Sequence, residues 1–231
     1  MIYADVVVVA AGKGSRFGEK TPKQFQVLEN KPILAHSLLL FEQHPGINSI
    51  IIVGAADWLF FIAQDIVDAF GISKVRQVVS GGKERTDSVS KGLAALDASS
   101  GRPVLIHDAA RPLLKSEIID RVLAGLQGVD ACIPTVPCTD TVKEVVGNFI
   151  ENTIPRANLR FAQTPQGFCL PVLLHALKQQ VASEDAVTDE AMLVEKHGGH
   201  VRWVDGSLEN IKITSRLDLD IAELILEKRK E

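Results

Sequence analysis

The chain has 231 residues, of which 46% are hydrophobic and 23% are charged, and its formal net charge is −4. This length suits one globular α/β domain, although length alone leaves two small domains open. The negative net charge argues against general nucleic-acid binding. The chain starts without the layout of a signal peptide, and no apolar run reaches the length of a membrane span. We therefore expect a cytoplasmic protein that binds neither membranes nor nucleic acids.

The first predicted strand, Asp5 to Val9, runs into a glycine-rich loop over residues 10–18. Glycines let the backbone approach a ligand with its N–H groups turned inward, and Arg16 and Lys23 add positive charge nearby. This combination indicates a polyphosphate ligand. Phe17 stands where a dinucleotide fingerprint has its third glycine, and no Gly-Lys-Ser/Thr follows at the P-loop spacing. On its own, the loop is also compatible with an ordinary turn from strand to helix.

Short apolar runs alternate with helical patterns through the first half of the chain. The predicted strands are Asp5 to Val9, Ile50 to Val53, Val75 to Val79, Val104 to Ile106 and Ala131 to Thr135. The predicted helices are Ile33 to Phe41, Trp58 to Phe70, one from the turn at 80–88 through Leu96, and one from about Ser116 to Leu126. This alternation predicts a mainly parallel sheet with right-handed crossovers. The glycine-rich loop, the Gly81-Gly82 turn and the turn at Asp108 all follow strands, so they can face one ligand crevice.

The alternation then breaks at a predicted β-hairpin, residues 141–146 and 149–154, joined by the turn pair Gly147-Asn148. An isolated two-stranded ribbon is only marginally stable in water, and this one carries several apolar side chains. We expect it to project as an arm over about 136–160 and to pack against a second copy of the chain. The alternative is that it folds back on its own domain.

The last third of the chain completes one domain that spans residues 1–231. Its predicted elements are a helix beginning near Pro171, a helix start at Thr188-Asp189-Glu190 leading through Lys196, strands Val201 to Val204 and Asn210 to Thr214, and a final helix from about Arg216 to Lys228. In the final helix we expect one apolar face, made of Leu217, Ile221, Leu224 and Ile225.

Five motifs follow one another along nearly the whole chain. They are Ala10-Ala11-Gly12-x-Gly14-x-Arg16 with Pro22-Lys23-Gln24, Gly81-Gly82-x-Glu84-Arg85-x-Asp87-Ser88, His107 to Pro112, Thr164-Pro165-Gln166, and Asn210 to Thr214. Together these motifs resemble the 2-C-methyl-D-erythritol 4-phosphate cytidylyltransferase family. The resemblance implies a Rossmann-like α/β homodimer with an interlocking β-arm. It also implies transfer of CMP from CTP to methylerythritol phosphate, with Mg²⁺ or another divalent metal, in the non-mevalonate route to isoprenoid precursors.

The same resemblance implies roles for individual residues. The implied catalytic cations are Arg16, Lys23 and Lys212. The implied nucleotide contacts are Ala10, Ala11, Gly12, Gly14, Gly82, Asp87, Ser88 and Asp108. The implied contacts of the methylerythritol phosphate are Asp108, Arg111, Thr141, Arg156, Thr164, Thr188 and Lys212, with Thr141 and Arg156 acting across the dimer. Asp108 would lie near the metal, which CTP phosphates would mainly hold.

The implied reaction requires no catalytic base, because a phosphate monoester is already an anionic nucleophile. The protein must instead bring two anions together in line and stabilise charge on the transferring group and on the leaving pyrophosphate. Cations fixed in place before the reaction do this best. The reaction therefore does not require His107 to gain or lose a proton, and we interpret this residue as structural.

Alternatives remain for the substrate and for single residues. Ribitol 5-phosphate cytidylyltransferases commonly have Gly-Gly at the position of Ala10-Ala11, so the sequence favours methylerythritol phosphate. A non-catalytic nucleotide-binding module would be expected to lose one of the four charged site residues, and Arg16, Lys23, Asp108 and Lys212 are all present. Asp108 could instead cap the following turn, and Arg156 could be a solvated surface arginine. Two departures from the family pattern, Pro155 and Arg160, concern how the arm is supported.

Overall fold

The computed structural model describes residues 3–12, 21–180 and 187–230, in a Rossmann-like α/β fold. Its strands are β1 Ala4–Ala10, β2 Val27–Leu28, β3 Lys31–Pro32, β4 Ile47–Gly54, β5 Val75–Ser80, β6 Val104–Asp108, β7 Ala131–Pro137, β8 Val142–Val146, β9 Phe149–Ile154, β10 Arg160–Ala162, β11 Gln166–Phe168 and β12 Val201–Asp205. Its helices are α1 Ile33–Gln43, α2 Leu59–Phe61, α3 Arg85–Ala94, α4 Ser116–Gly125, α5 Leu170–Gln180, α6 Glu190–Lys196 and α7 Arg216–Lys228.

The central sheet has 8 strands in the order β10-β7-β11-β6-β1-β4-β5, with β12 paired to β7. Strands β6, β1, β4 and β5 are parallel neighbours, as is the pair β7 and β12. The short strands β10 and β11 run antiparallel to their neighbours. The prediction of a mainly parallel sheet flanked by helices is therefore confirmed.

The sheet is covered on both faces, which explains why its central strands read as continuous apolar runs. In β1, Val6 and Val8 belong to one buried cluster, together with residues of α1 and α4 such as Leu38. Val7 belongs to a second cluster with residues of α3 and α5 such as Val89. Because successive side chains of a strand point to opposite faces, these clusters are the two sides of one sheet.

Two predicted elements have a different local structure. The helix predicted over Trp58 to Phe70 is a 3₁₀ turn at Ala56–Trp58, the single turn α2, and then a π-helix at Ile62–Asp68. The strand predicted over Asn210 to Thr214 is irregular. The backbone carbonyls of this segment accept hydrogen bonds from side chains, as at Ile213, whose oxygen takes the Lys23 Nζ at 2.8 Å. The segment therefore connects to side chains of the site instead of pairing as a strand.

The bounds predicted for α7 are confirmed, but the residues of its predicted apolar face are not its buried residues. Leu219 and Ala222 are buried, whereas Leu217 and Leu224 are 66% and 52% exposed. The buried pair packs into a small cluster with Leu28 of β2 and with neighbouring loop residues. The spacing of hydrophobic residues predicts one apolar face of the helix, but a different face, which carries Leu219 and Ala222, packs against this cluster.

The hairpin of β8 and β9 is confirmed, with a left-handed Gly147 at its turn (φ 58°). Its apolar side chains are exposed in the single chain: Val145 61%, Val146 62%, Phe149 81% and Ile150 64%. Across the described ranges, no helix is long and apolar enough to span a membrane.

His107 lies in the middle of the core on β6 and is fully buried. Its Nδ1 lies 3.1 Å from the Thr164 hydroxyl, and its Nε2 lies 3.3 Å from both the Ser37 hydroxyl and the Arg111 carbonyl oxygen. The ring also packs edge-on against Phe41. Burial lowers the pKa of His107 to about 4, although the Asp108 carboxylate acts in the opposite direction.

We predict that His107 makes the protein less stable in mild acid. In the unfolded chain a histidine titrates near 6.5, so between pH 6.5 and pH 4 the unfolded state binds more protons and stability rises with pH. The free energy of unfolding should fall by about 2 kcal/mol more between pH 7 and pH 4.5 in the wild type than in His107→Gln. Urea unfolding at both pH values measures this, with the exposed His197→Gln as the control for losing a histidine. Equal pH dependence in wild type and His107→Gln would contradict the assignment.

Candidate active site

A cavity of about 390 Å³ opens at the carboxyl ends of the central parallel strands. All three turns expected at this crevice line it. The lining residues are Val9, Ala10, Ala11, Gly12, Lys23, Gln24, Gly82, Lys83, Glu84, Arg85, Ser88, Asp108, Ala109, Ala110 and Lys212. Most of the residues predicted for the nucleotide and for catalysis thus come together. Gly14 and Arg16 lie outside the described residues.

The buried side chain of Gln24 holds the start of the first loop. Its Nε2 donates to the carbonyl oxygens of Ala10 at 2.6 Å and Gly12 at 3.1 Å. Among the residues that the structure describes, no atom lies within 4 Å of the place where a Cβ on Gly12 would be. Gln24 was part of the sequence motif but had no predicted role, and its contacts assign it to positioning the loop.

The second turn packs directly on the first. A Cβ on Gly81 would come within 2.5 Å of the Ala11 Cβ, so glycine permits the close approach of the two turns. The Ser88 hydroxyl accepts the Gly82 N–H at 3.1 Å, and the Asp87 carboxylate accepts the Glu84 N–H at 3.1 Å. Asp87 and Glu84 together cap α3. Ser88 lines the cavity, while Asp87 supports the turn from the helix side.

Asp108 is the acidic centre of the site, and three cations surround it. Its Oδ1 lies 3.3 Å from Arg85 Nη2, and its Oδ2 lies 2.8 Å from Lys212 Nζ and 4.0 Å from Arg111 Nε. Burial alone raises the pKa of the Asp108 carboxyl, but the charges of Arg85 and Lys212 outweigh it and hold the pKa well below its usual range. Asp108 is therefore a fixed anion that places cations around the cavity.

A buried ion pair continues from the cavity into the protein. Arg85 Nη1 donates to Glu190 Oε1 at 2.5 Å, and Glu190 is fully buried at the start of α6. Burial raises the pKa of Glu190 although Arg85 acts against it, whereas Glu190 and Asp108 raise the pKa of Arg85 against its own burial. Sequence reasoning assigned no role to Arg85 and saw only a helix start at Glu190. That start is confirmed, because Asp189 caps α6 by accepting the Met192 N–H at 3.0 Å.

Of the three described lysines that line the cavity, Lys23 and Lys212 reach it from separate segments. Lys23 begins the 3₁₀ turn Lys23–Phe25, and its ammonium donates to the Ile213 carbonyl oxygen. Lys212, next in the chain to Ile213, pairs with Asp108. The irregular segment at 210–214 therefore contains Lys212 and also the carbonyl group that binds the Lys23 ammonium group.

The residues predicted to bind the second substrate separate into two groups. Thr164 and Arg111 lie beneath Asp108: the Thr164 hydroxyl accepts the Asp108 N–H at 3.1 Å, and Arg111 Nη1 donates to the Asn210 carbonyl oxygen at 2.7 Å. Burial lowers the pKa of Arg111, which Asp108 partly offsets. The second group, Thr141, Arg156 and Thr188, is exposed. None of these five described residues, in either group, belongs to the cavity lining.

The described side chains at the cavity supply too few ligands to hold a metal ion without a bound nucleotide. Within ranges 3–12, 21–180 and 187–230, no group of three or more His, Cys, Asp and Glu side chains could hold a metal ion. Asp108 supplies one carboxylate at the cavity. Mg²⁺ is commonly bound by one or two carboxylates together with substrate phosphates. The site therefore fits Mg²⁺ if CTP phosphates provide most of its ligands.

Comparisons with known proteins agree with this geometry. A family model described as 2-C-methyl-D-erythritol 4-phosphate cytidylyltransferase matches residues 4–228. A protein of that name from Alkaliphilus oremlandii is 42% identical over 227 residues, which are 98% of this chain and 96% of the relative. Another, from Alkaliphilus metalliredigens, is 43% identical over 98% of this chain and 94% of its own.

The fold also matches solved structures. The crystal structure of 4-diphosphocytidyl-2C-methyl-D-erythritol synthase from Anaerococcus prevotii has a TM-score of 0.85 and 29% identity, covering 98% of this chain and 99% of its own. A 2-C-methyl-D-erythritol 4-phosphate cytidylyltransferase from Thermus thermophilus has a TM-score of 0.77 and 27% identity, covering 97% and 98%. Sequence and fold agree over nearly the whole length, so this chain belongs to the 2-C-methyl-D-erythritol 4-phosphate cytidylyltransferase family.

Proposed function

We propose that this chain transfers CMP from CTP to 2-C-methyl-D-erythritol 4-phosphate, giving 4-diphosphocytidyl-2-C-methyl-D-erythritol and pyrophosphate. Membership of the family supports the reaction. The observation that carries it to this site is the cavity in which Asp108, Lys23 and Lys212 meet two glycine-bearing turns. The reaction consumes CTP in the non-mevalonate pathway, and we place it in the cytoplasm.

The proposed reaction is a single in-line displacement. An oxygen of the methylerythritol phosphate forms a bond to the α-phosphorus of CTP, and the bond from that phosphorus to the bridging oxygen of pyrophosphate breaks. The pyrophosphate leaves with the electron pair. Since the attacking oxygen is already anionic, no proton has to be removed. The task that remains for the protein is to reduce repulsion between two anions and to align them.

Lys23 and Lys212 perform the electrostatic part of this task, together with Arg16. Charges held in place by the fold stabilise a developing charge without reorganising during the reaction. The Asp108 carboxylate holds the Lys212 ammonium group. The backbone carbonyl oxygen of Ile213, the residue after Lys212, accepts a hydrogen bond from the Lys23 ammonium group. A divalent metal such as Mg²⁺ would be held mainly by the CTP phosphates, with Asp108 nearby, and its charge would further neutralise and orient the triphosphate. The backbone of Ala10 to Gly14, with Gly82, Asp87 and Ser88, would bind the nucleotide.

The proposal includes a homodimer in which the arm of β8 and β9 reaches the partner's site. The arm's exposed apolar side chains are a reason to expect a packing partner. Thr141 and Arg156 would then bind the second phosphate in the partner, and Arg111, Thr164 and Thr188 would complete that pocket. An arginine suits this role because its planar fork can donate two parallel hydrogen bonds to a phosphate.

Arg160, one of the two departures from the family pattern, strengthens the base of this arm. It donates to the Thr135 hydroxyl at 2.6 Å and to Asp205 at 2.9 Å, and its guanidinium lies 3.8 Å from the ring centroid of Trp203. These contacts connect β10, β7 and β12. Arg160 therefore links three strands at the base of the arm.

The substrate prediction is tested by pyrophosphate release from CTP. With methylerythritol phosphate and Mg²⁺ we expect turnover, and with ribitol 5-phosphate we expect kcat/KM lower by at least about 100-fold, because the pocket must recognise a different polyol. Turnover with ribitol 5-phosphate alone would overturn the substrate assignment. Turnover with neither acceptor, while CTP still binds, would favour a non-catalytic binding module.

The shared-site prediction is tested with heterodimers. Lys23→Ala and Arg156→Ala homodimers should each lose orders of magnitude in kcat, since each removes a cation from every site. In a mixed dimer, one site has lost both cations, whereas the other combines the intact Lys23 of one subunit with the intact Arg156 of its partner. Up to the activity of one wild-type site, about half of the wild-type dimer's activity, should therefore return. Differently tagged subunits, purified in tandem, provide the sample. No recovery in confirmed heterodimers would contradict the exchange of arms.

A further inference from the structure

The buried carboxylate of Glu190 is not used by the reaction as described, yet it is joined to the site. It lies behind Arg85, with Oε1 on Arg85 Nη1, and it is fully buried. A buried carboxylate is costly unless it is paired. The pair joins the first residue of α6 to the first residue of α3, and the two residues are 105 positions apart in the sequence. Because this buried ion pair is costly and lies at the edge of the cavity, we expect it to have a function.

The geometry of the two carboxylates around Arg85 suggests what that function is. Arginine prefers to donate two parallel hydrogen bonds to a single carboxylate. Here its fork is divided: Nη1 donates to Glu190, and Nη2 donates to Oδ1 of Asp108. The second oxygen of Asp108 is therefore left to Lys212, whose Nζ lies 2.8 Å away.

Without Glu190, nothing in this arrangement would limit Arg85 to one oxygen. The freed Nη1 could turn to Oδ2 of Asp108, forming a bidentate pair and displacing Lys212. Lys212 is 41% exposed at its side chain and is a single point charge, so it is the weaker competitor for that oxygen.

We propose that Glu190 is a positioning residue that holds one arm of the Arg85 fork and thereby reserves Asp108 Oδ2 for Lys212. Glu190 touches no substrate in this account and acts only through Arg85 and Asp108. The inference rests on the role proposed above for Lys212 in the reaction. Loss of the Glu190 carboxylate should misplace Lys212 without unfolding the protein.

The test compares Glu190→Met, which removes the acceptor for Arg85, with a matched variant on the same helix, Glu195→Met, whose side chain is exposed. We expect Glu190→Met to lower kcat per folded enzyme about 10- to 100-fold, with a smaller change in KM for CTP, because the lost interaction acts in the transition state. Glu190→Asp should recover part of the loss, and Glu195→Met should stay within about twofold of the wild type. A kcat for Glu190→Met within twofold of the wild type overturns the proposal.

A second comparison separates positioning from a structural role. Adding Glu190→Met to Lys212→Ala should lower single-turnover rates by less than about threefold further, because the lysine that Glu190 positions is already absent. A merely structural role gives the same factor in both backgrounds, and that result would refute the proposal. Thermal melting checks folding, and Glu190→Ala replaces Glu190→Met in both comparisons if the latter does not fold.

The same measurements keep this inference separate from the proposed function. If Lys212→Ala retains wild-type kcat, the electrostatic role of Lys212 fails and the inference fails with it. If Lys212→Ala is slow and Glu190→Met is normal, only the inference fails. If the wild type does not turn over CTP with methylerythritol phosphate, the proposed function itself is wrong.

Discussion

The site depends on the charge balance at Asp108. A carboxylate as buried as this one would be costly without cations, and it has Arg85, Lys212 and Arg111 around it. These cations in turn are fixed because Asp108 holds them, and Arg85 is held again by Glu190. Each group is thus in place before any ligand arrives. Such preorganisation is what a reaction between two anions requires, because the protein's charges need not move as the bond forms.

The topology makes this balance possible by bringing distant segments to one edge of the sheet. Strands β1 and β6 are parallel neighbours, so the loop after Ala10 and the turn at Asp108 lie side by side. Gly81 allows the turn after β5 to pack on the first loop. The irregular segment at 210–214 then passes over the same edge and carries Lys212. A sheet of parallel strands with crossovers thus gathers residues from most of the chain into one cavity.

Sequence patterns predicted the parts of this arrangement that depend on local or periodic chemistry. The buried runs such as Ile50 to Val53, the glycine-bearing turns and the hairpin turn at Gly147 have signatures that a few neighbouring residues determine. The motifs also placed Lys23, Asp108 and Lys212 in one crevice, and the structure agrees.

What the sequence could not predict depends on contacts between distant segments. The pairing of Arg85 with Glu190 leaves no local signal, since Glu190 reads equally well as the first turn of a helix. The same holds for Asn210 to Thr214, where apolar alternation suggested a strand but backbone carbonyls bind the side chains of Arg111 and Lys23. In α7, the stripe of Leu217 and Leu224 is as regular as the buried one, and only packing against the rest of the fold decides between them.

The central claim is that the protein contributes fixed charge and no nucleophile. Asp108 is the buried carboxylate at the cavity that could otherwise attack the α-phosphorus, and its two oxygens are occupied by Arg85 and Lys212. The direct measurement is the stereochemical course of transfer from CTP carrying a chiral α-thiophosphate. A single in-line displacement predicts inversion at phosphorus. Retention would indicate two displacements through a covalent nucleotidyl enzyme and would contradict this account.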